Sequence, residues 1–340
     1  MNQLPPPSSY PAAELLSYVP LLAGRRVLVI GDLFLDEYIE GQATRLSREA
    51  PIPVLEFERR FWRPGGAANP AHNVVSLGGH AYQVGVVGDD EAGRQLLHEL
   101  TQVDIDASGV AVDAGRPTTT KTRIISRGSL RYPQQVARID RVDRRPIDGG
   151  VLAALQEHIA RLAEGVDAVL MSDYRSGVAV KPVIAAALRA AQAAGRPIAV
   201  DSQGNLALYK GFDLIKCNQS EAEATLRRDL TTSRQVEEAC EDLLEAYHAR
   251  AVVITRGPNG MAGLSAGGPF VLLPAANRTE VYDVVGAGDT AIAVLAMAEA
   301  AGIPFEASLR LANYAAGLVV RKLGNATTTQ QELSWAIGRW

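Results

Sequence analysis

From residue 151 onward, short apolar runs alternate with longer helical stretches, and this alternation restricts the chain more than any other feature. The expected helices are Val151–Glu164, Lys181–Ala194 and Thr232–Tyr247. The strands between and after them are Ala168–Ser172, Pro197–Asp201, Asp213–Cys217 and Ala251–Thr255. Unbroken apolar strands are covered on both faces, which is the habit of a parallel sheet whose crossovers are helices. Arg26–Asp32 and Val84–Gly88 read as two earlier strands of the same kind. The fold class is therefore α/β on a mainly parallel central sheet. No internal repeat or coiled coil interrupts it.

Two regions break the rhythm. Tyr38–Phe61 contains the extended stretch Pro51–Glu58 with no helix after the preceding strand, and Thr118–Ser126 and Gln135–Asp140 are extended as well. These segments, near 38–62 and 117–140, are expected to form a small separate sheet, the natural shape of a lid. Residues 1–24 read as a Pro- and Ser-rich tail followed by a leading helix over Ala12–Leu22.

The stretch Asp283-Val284-Val285-Gly286-Ala287-Gly288-Asp289-Thr290 follows an expected short strand, Thr279–Tyr282, and precedes an Ala-rich helix over Thr290–Ala301. A glycine turn opening a helix leaves main-chain N–H groups unpaired at the positive end of the helix dipole, so it attracts an anion. Gly286 and Gly288 permit close approach, and Ala287 is small. Asp289 is repulsive there unless it has work to do. It either caps the helix or takes a proton from a hydroxyl while the amides neutralise a phosphoryl group.

A second glycine turn, Gly65-Gly66, opens a helix with Asn69 about one turn in; Asn offers donor and acceptor together and suits a sugar diol. Asp32 and Asp36 follow the first strand, where carboxylates suit sugar hydroxyls or cap a turn. A dinucleotide fold would place a Gly-x-Gly-x-x-Gly loop there, and the acids that stand there instead count strongly against it. Asp32, Asp173, Asp201, Asn218 and Thr255 all fall just after strands, the edge at which open parallel sheets bind ligands.

Lys plus Arg total 34 against 38 Asp plus Glu, a net charge of −4, so a nucleic-acid partner is not expected. Cys217 and Cys240 make neither a disulfide framework nor a zinc site, and the five histidines lack metal-ligand spacing. With no signal peptide or membrane-spanning run, the chain reads as soluble and cytoplasmic, with no membrane partner.

After Arg25 the chain resembles the ribokinase-like (PfkB) carbohydrate kinases. The Asp-x-x-Gly-Ala-Gly-Asp signature stands at Asp283–Asp289, and a Gly-Gly-x-x-x-Asn element at Gly65, Gly66 and Asn69. Within them it is similar to the heptose-7-phosphate kinases, through Ser47–Val54, Arg63–Asn69, Ser172-Asp173-Tyr174 and Val281-Tyr282-Asp283. The resemblance implies a three-layer α/β/α sandwich over residues 25–340 with a small β-sheet lid, using ATP and Mg²⁺. Asp289 would be the base and Gly286, Ala287 and Gly288 the anion hole. The sugar or sugar phosphate would be held by Asp36, Gly65, Gly66 and Asn69, at the edge where Asp32 and Asp173 also lie. Asn218 and Glu221 match an Asn-x-x-Glu element that organises Mg²⁺ and the phosphates, with Glu221 acting largely through water. Thr255 and Gly257 would lie along the nucleotide, Asn313 near the adenine, and Asp283 beside a monovalent cation such as K⁺. The lid implies a homodimer. Heptose kinases are often fused to a nucleotidyltransferase; this chain ends about where the kinase would, so no second activity is expected.

Two departures concern the acceptor. Asp201-Ser202-Gln203 stands where relatives have Asp-Pro-Lys, and Lys216-Cys217-Asn218 where they have Thr-Pro-Asn. Lys216 would replace the missing cation. Arg45, Arg48, Arg63, Lys121, Arg123 and Arg138 are candidates for a distal phosphate on the acceptor. The alternatives are a kinase of this fold for another sugar, sugar phosphate or nucleoside, and a non-catalytic sugar- or nucleotide-binding regulator.

Overall fold

The computed structural model describes residues 10–127, 134–277 and 281–340. The expected tail up to Ser9 lies outside the described residues. The strands are β1 (Arg26–Gly31), β2 (Leu33–Leu46), β3 (Pro53–Gly66), β4 (His80–Gly88), β5 (Asp106–Asp113), β6 (Thr119–Arg127), β7 (Gln134–Arg141), β8 (Ala168–Asp173), β9 (Ile198–Ser202), β10 (Leu214–Asn218), β11 (Ala251–Thr255), β12 (Met261–Ser265) and β13 (Val271–Leu273). The α-helices are α1 (Ala12–Tyr18), α2 (Ala68–Ser76), α3 (Glu91–Gln102), α4 (Gly149–Ala163), α5 (Lys181–Ala194), α6 (Gln219–Leu226), α7 (Ser233–Tyr247), α8 (Ala287–Ala300), α9 (Phe305–Val319) and α10 (Gln330–Ile337).

The main sheet runs β13-β12-β11-β10-β9-β8-β1-β4-β5. It is parallel from β11 to β5, and β12 and β13 add an antiparallel edge. β1 lies between β4 and β8, so the chain leaves it first in one direction and later in the other. That reversal makes a switch point, where the crossovers part and a crevice opens at the strands' carboxyl ends. Successive residues of β1 serve opposite layers. Val27 and Val29 join the core beneath α2, α8 and α9, while Leu28 and Ile30 join the core beneath α4, α5 and α7. The continuous apolar run is thus two alternating faces, both covered.

Helix α8 is buried from Asp289 to Ala298, wedged between α2 and α9 and lying on β8 and β9. Its alanines make that possible, since small side chains let neighbouring backbones approach. The second sheet, in the order β3-β2-β6-β7, gathers the segments expected as extended; β2 begins two residues after β1 ends.

Several boundaries differ from the sequence reading. Helix α8 starts at Ala287, so Asp289 stands within its first turn. The leading helix tightens into a 3₁₀ turn over Val19–Leu22, where Pro20 removes an N–H donor. The strand expected over Thr279–Tyr282 falls partly outside the described residues. Its described members, Val281 and Tyr282, belong to no strand, and the Tyr282 amide bonds instead to the Val320 carbonyl beyond α9. β5 and α10 were not anticipated.

Candidate active site

The glycine turn places Asp289. Gly286 sits at φ +83° as the residue before α8, and Thr290 donates the first helical bond, to its carbonyl. The Gly288 and Asp289 amides therefore lie outside the helical ladder, at the positive helix end. The Ala287 amide is turned to the Val284 carbonyl at 3.4 Å, a long bond. Asp289 does not cap the helix. Its Oδ2 accepts from Asn69 Nδ2 at 2.7 Å and its Oδ1 accepts from the Tyr174 hydroxyl. Burial lifts this carboxyl to about 6 against the pull of the Tyr174 hydrogen bond; the Asp201 charge adds to the rise, and Asn69 and Lys216 oppose it.

Asn69 is fixed from behind. Asn73 Nδ2 donates to its carbonyl at 3.0 Å, and Thr290 Oγ1 donates to Asn73 Oδ1 at 2.9 Å, so α2 and α8 are pinned together. The second glycine turn clears space for Asp36. A Cβ on Gly65 would lie 2.2 Å from Asp36 Oδ2, and Gly66 has φ +61°. Asp36 is buried and accepts from Arg123 at 2.5 Å and from the Asn325 side chain.

Asp289, Asp36 and Gly66 face one cleft of about 820 Å³, together with Phe34, Lys121, Arg123, Tyr174 and Asn325. Its far end is lined by Asn218, Glu221, Thr255, Gly257 and Asn313, with the turn at Gly286–Gly288 between. Sequence positions nearly 290 residues apart are thus brought together at the strand ends.

Two residues expected at the sugar, Asp32 and Asp173, are not among those lining this cleft. Asp32 is buried off the cleft, where its oxygens accept the amides of Tyr174, Ser176 and Val178 at 2.9 to 3.0 Å. Asp173 accepts from the Ser202 and Tyr209 hydroxyls at 2.8 and 2.6 Å and from the Arg175 amide. Both carboxylates hold the loop after β8. Gly65 and Asn69 do not line the cleft themselves; they adjoin Asp36 and Asp289, which do.

At the far end Asn218 and Glu221 form a reciprocal capping box on α6, with bonds of 2.7 and 2.9 Å. Burial raises the Glu221 carboxyl. Among the described residues no group of three His, Cys, Asp or Glu side chains could hold a metal. Glu221 and Asp201 both stand on the cleft wall. Asn313 Nδ2 donates to the Pro274 carbonyl at 2.8 Å, and Thr255 Oγ1 donates weakly to that of Cys217. Asp283 lies behind the turn and accepts the amides of Val285 and Gly324 at 3.0 and 2.9 Å. Each of its oxygens keeps a further lone pair.

Lys216 pairs with Asp201 at 2.6 Å, and a Cβ on Gly288 would come within 2.8 Å of its Nζ. Burial opposes the ammonium charge, but Asp201 outweighs it and holds the pKa above the ordinary lysine value. A cation thus stands at the glycine turn although position 203 is Gln. Of the six basic candidates, only Lys121 and Arg123 line the cleft. Arg123 is committed to Asp36, whereas Lys121 Nζ lies 4.0 Å above the Phe34 ring and its pKa is lowered by burial. Arg45, Arg48 and Arg63 are exposed, and Arg138 pairs with Asp140 at 2.9 Å. The sequence gives Tyr174 and Asn325 no site role; the signals available are an aromatic after a strand and a Gly-Asn turn.

An open parallel sheet, a small second sheet and a buried acid at a glycine-opened helix define the ribokinase-like class of sugar phosphotransferases. The chain belongs to the pfkB family of carbohydrate kinases, whose profile matches residues 26–332. It is 46% identical over 315 residues to "Bifunctional protein HldE" of a Caulobacter species, covering 92% of this chain and 62% of that protein. It is 39% identical over 314 residues to the protein of that name from Geotalea uraniireducens, covering 92% and 63%. The chain thus spans under two thirds of the length of these relatives. Among solved structures, phosphofructokinase-2 from Escherichia coli in complex with potassium superposes with a TM-score of 0.75 at 19% identity, covering 93% of this chain and 98% of that one. Arabidopsis thaliana ribokinase complexed with ribose and ATP gives 0.69 at 20% identity, covering 93% and 99%. These two likenesses bear on fold alone.

Proposed function

We propose that this carbohydrate kinase transfers the γ-phosphoryl group of ATP to the anomeric hydroxyl of a heptose 7-phosphate, giving the 1,7-bisphosphate. The observation that carries this reading is the buried Asp289 carboxylate on the cleft wall beside the unused amides of α8. The acceptor hydroxyl would give its proton to Asp289 while its oxygen bonds to the γ-phosphorus. The bond from that phosphorus to the β,γ-bridging oxygen breaks, and ADP leaves. The Gly288 and Asp289 amides, with Lys216, would face the charge that builds on the phosphoryl oxygens, and such fixed dipoles cost no reorganisation. Asp36 would orient the sugar, and Asn69 would hold the Asp289 carboxylate in place. Asn218, Thr255, Gly257 and Asn313 would line the nucleotide, whose Mg²⁺, met by Glu221 through water, would neutralise phosphate charge.

The heptose assignment is supported by the HldE relatives, and Lys121 supplies a cleft cation for a distal phosphate. The reading extends to residues 25–340 as one kinase unit with β2, β3, β6 and β7 as its lid. The exposed Phe57, Ile139 and Leu46 on those strands favour a homodimer through that sheet. A K⁺ beside Asp283 would order the two loops that this residue ties together; the Escherichia coli phosphofructokinase-2 structure is itself a potassium complex. Among the described residues no helix is long and apolar enough to cross a membrane, in keeping with a cytoplasmic ATP consumer. ADP release measured over a panel of sugars and sugar phosphates tests the reading. Heptose 7-phosphate should be preferred over unphosphorylated heptose, and equal turnover of both would remove the phosphate subsite.

A further inference from the structure

Tyr174 has no role in the reaction as derived above, yet its hydroxyl donates to the same carboxylate that is read as the base. Its placement is over-determined. The Tyr174 amide is held by Asp32 at 2.9 Å, and the amides of Ser176 and Val178 are held by the same carboxylate. The ring meets Phe34 of β2 edge-on, with centroids 5.1 Å apart at 69°, and Lys121 Nζ of β6 stands 5.6 Å above it. Two buried clamps, one in the main body and one in the small sheet, therefore aim a single hydroxyl at Asp289.

We propose that Tyr174 is a positioning residue for phosphoryl transfer: it fixes the plane of the Asp289 carboxylate so that a free lone pair faces the acceptor hydroxyl. This rests on the reading of Asp289 as base. With Asn69 on Oδ2 and Tyr174 on Oδ1, the carboxylate cannot rotate without breaking a bond, and each oxygen still has capacity to accept a second hydrogen. Tyr174 keeps its own proton, because burial and the neighbouring Asp289 push its ionisation far up. It is thus a donor throughout the working range. The other charged groups facing Asp289 are Asp201 on β9 and Lys216 on β10, paired with each other, while Asp36 faces Tyr174 from β2. Among these groups, Tyr174 is the neutral one that donates directly to the base.

Tyr174→Phe keeps the ring and its packing and removes only the hydroxyl. The expected result is a fall in kcat of roughly ten- to hundredfold, with KM for ATP within about twofold. A donor to the ionised carboxylate favours its charged form, so losing it should also move the acid limb of the kcat/KM profile to higher pH. Fluorotyrosine at position 174 is a stronger donor and should move that limb the other way. A purely structural tyrosine would move neither limb. Unchanged kcat and pH profiles in both variants, with Asp289→Asn inactive in parallel, would overturn the proposal for Tyr174 alone. Normal turnover by Asp289→Asn would instead overturn the base reading beneath it.

Discussion

Asp289 accepts a 2.7 Å hydrogen bond from Asn69, a residue 220 positions earlier in the chain. That single contact joins the two glycine turns, because Asn69 stands in the first turn of α2 and Asp289 in the first turn of α8. It sets the candidate base on the wall of the cleft that Asp36 and Asn218 also line.

The pH dependence follows from burial. Asp289 must be ionised to take a proton, and its carboxyl is held near about 6. Turnover as kcat/KM should therefore fall with unit slope below about pH 6. Stability runs the opposite way. The folded pKa lies above the ordinary 3.8, so the contribution of this group is fully present below 3.8 and is lost as the pH rises through about 6. Denaturant titrations should show Asp289→Asn gaining on the unsubstituted protein by on the order of 3 kcal/mol between about pH 4 and about pH 7.

The glycines of the turn should separate strain from function. Gly286→Ala places a Cβ 2.9 Å from Asn69 Nδ2 at φ +83°, and should cost about 1–2 kcal/mol of stability along with most activity. At Gly288 the added Cβ meets only the tip of Lys216, at 2.8 Å. Gly288→Ala should therefore fold normally by thermal melting but lose turnover as the ammonium is displaced.

Lys216 and Asp201 form a pair with both side chains largely buried. Lys216→Met strands the Asp201 carboxylate and should cost about 3–5 kcal/mol. Adding Asp201→Asn should recover much of that stability without recovering turnover. A double variant as active as the unsubstituted enzyme would show that the cation has no part in transfer.

Lys121→Met should raise KM for heptose 7-phosphate roughly tenfold or more while leaving KM for ATP unchanged. Unphosphorylated heptose should be used no worse by this variant. Equal effects on both sugars would place the distal phosphate elsewhere.

Much of this arrangement was legible in the sequence, for reasons that differ by residue. The βα alternation and both glycine turns are local patterns, and they survive folding because periodicity and positive φ are local demands. Asp32 and Asp173 are ambiguous in the sequence because a carboxylate after a strand looks the same whether it faces a ligand or a loop. Only the folded chain shows main-chain amides converging on Asp32. The Asn325 contact to Asp36 spans 289 positions and leaves no local trace. Helix α10 did leave one: Thr329 and Glu332 form a capping box that the spacing already allowed. β5 stayed hidden because Gly109 and its polar neighbours blur a period-two pattern.

The most direct test is the rate of ADP formation by Asp289→Asn with heptose 7-phosphate, alongside ATP binding by calorimetry. As the base, Asp289 requires kcat to fall by roughly 10²–10⁴-fold with ATP affinity nearly unchanged. Turnover close to that of the unsubstituted enzyme would contradict it.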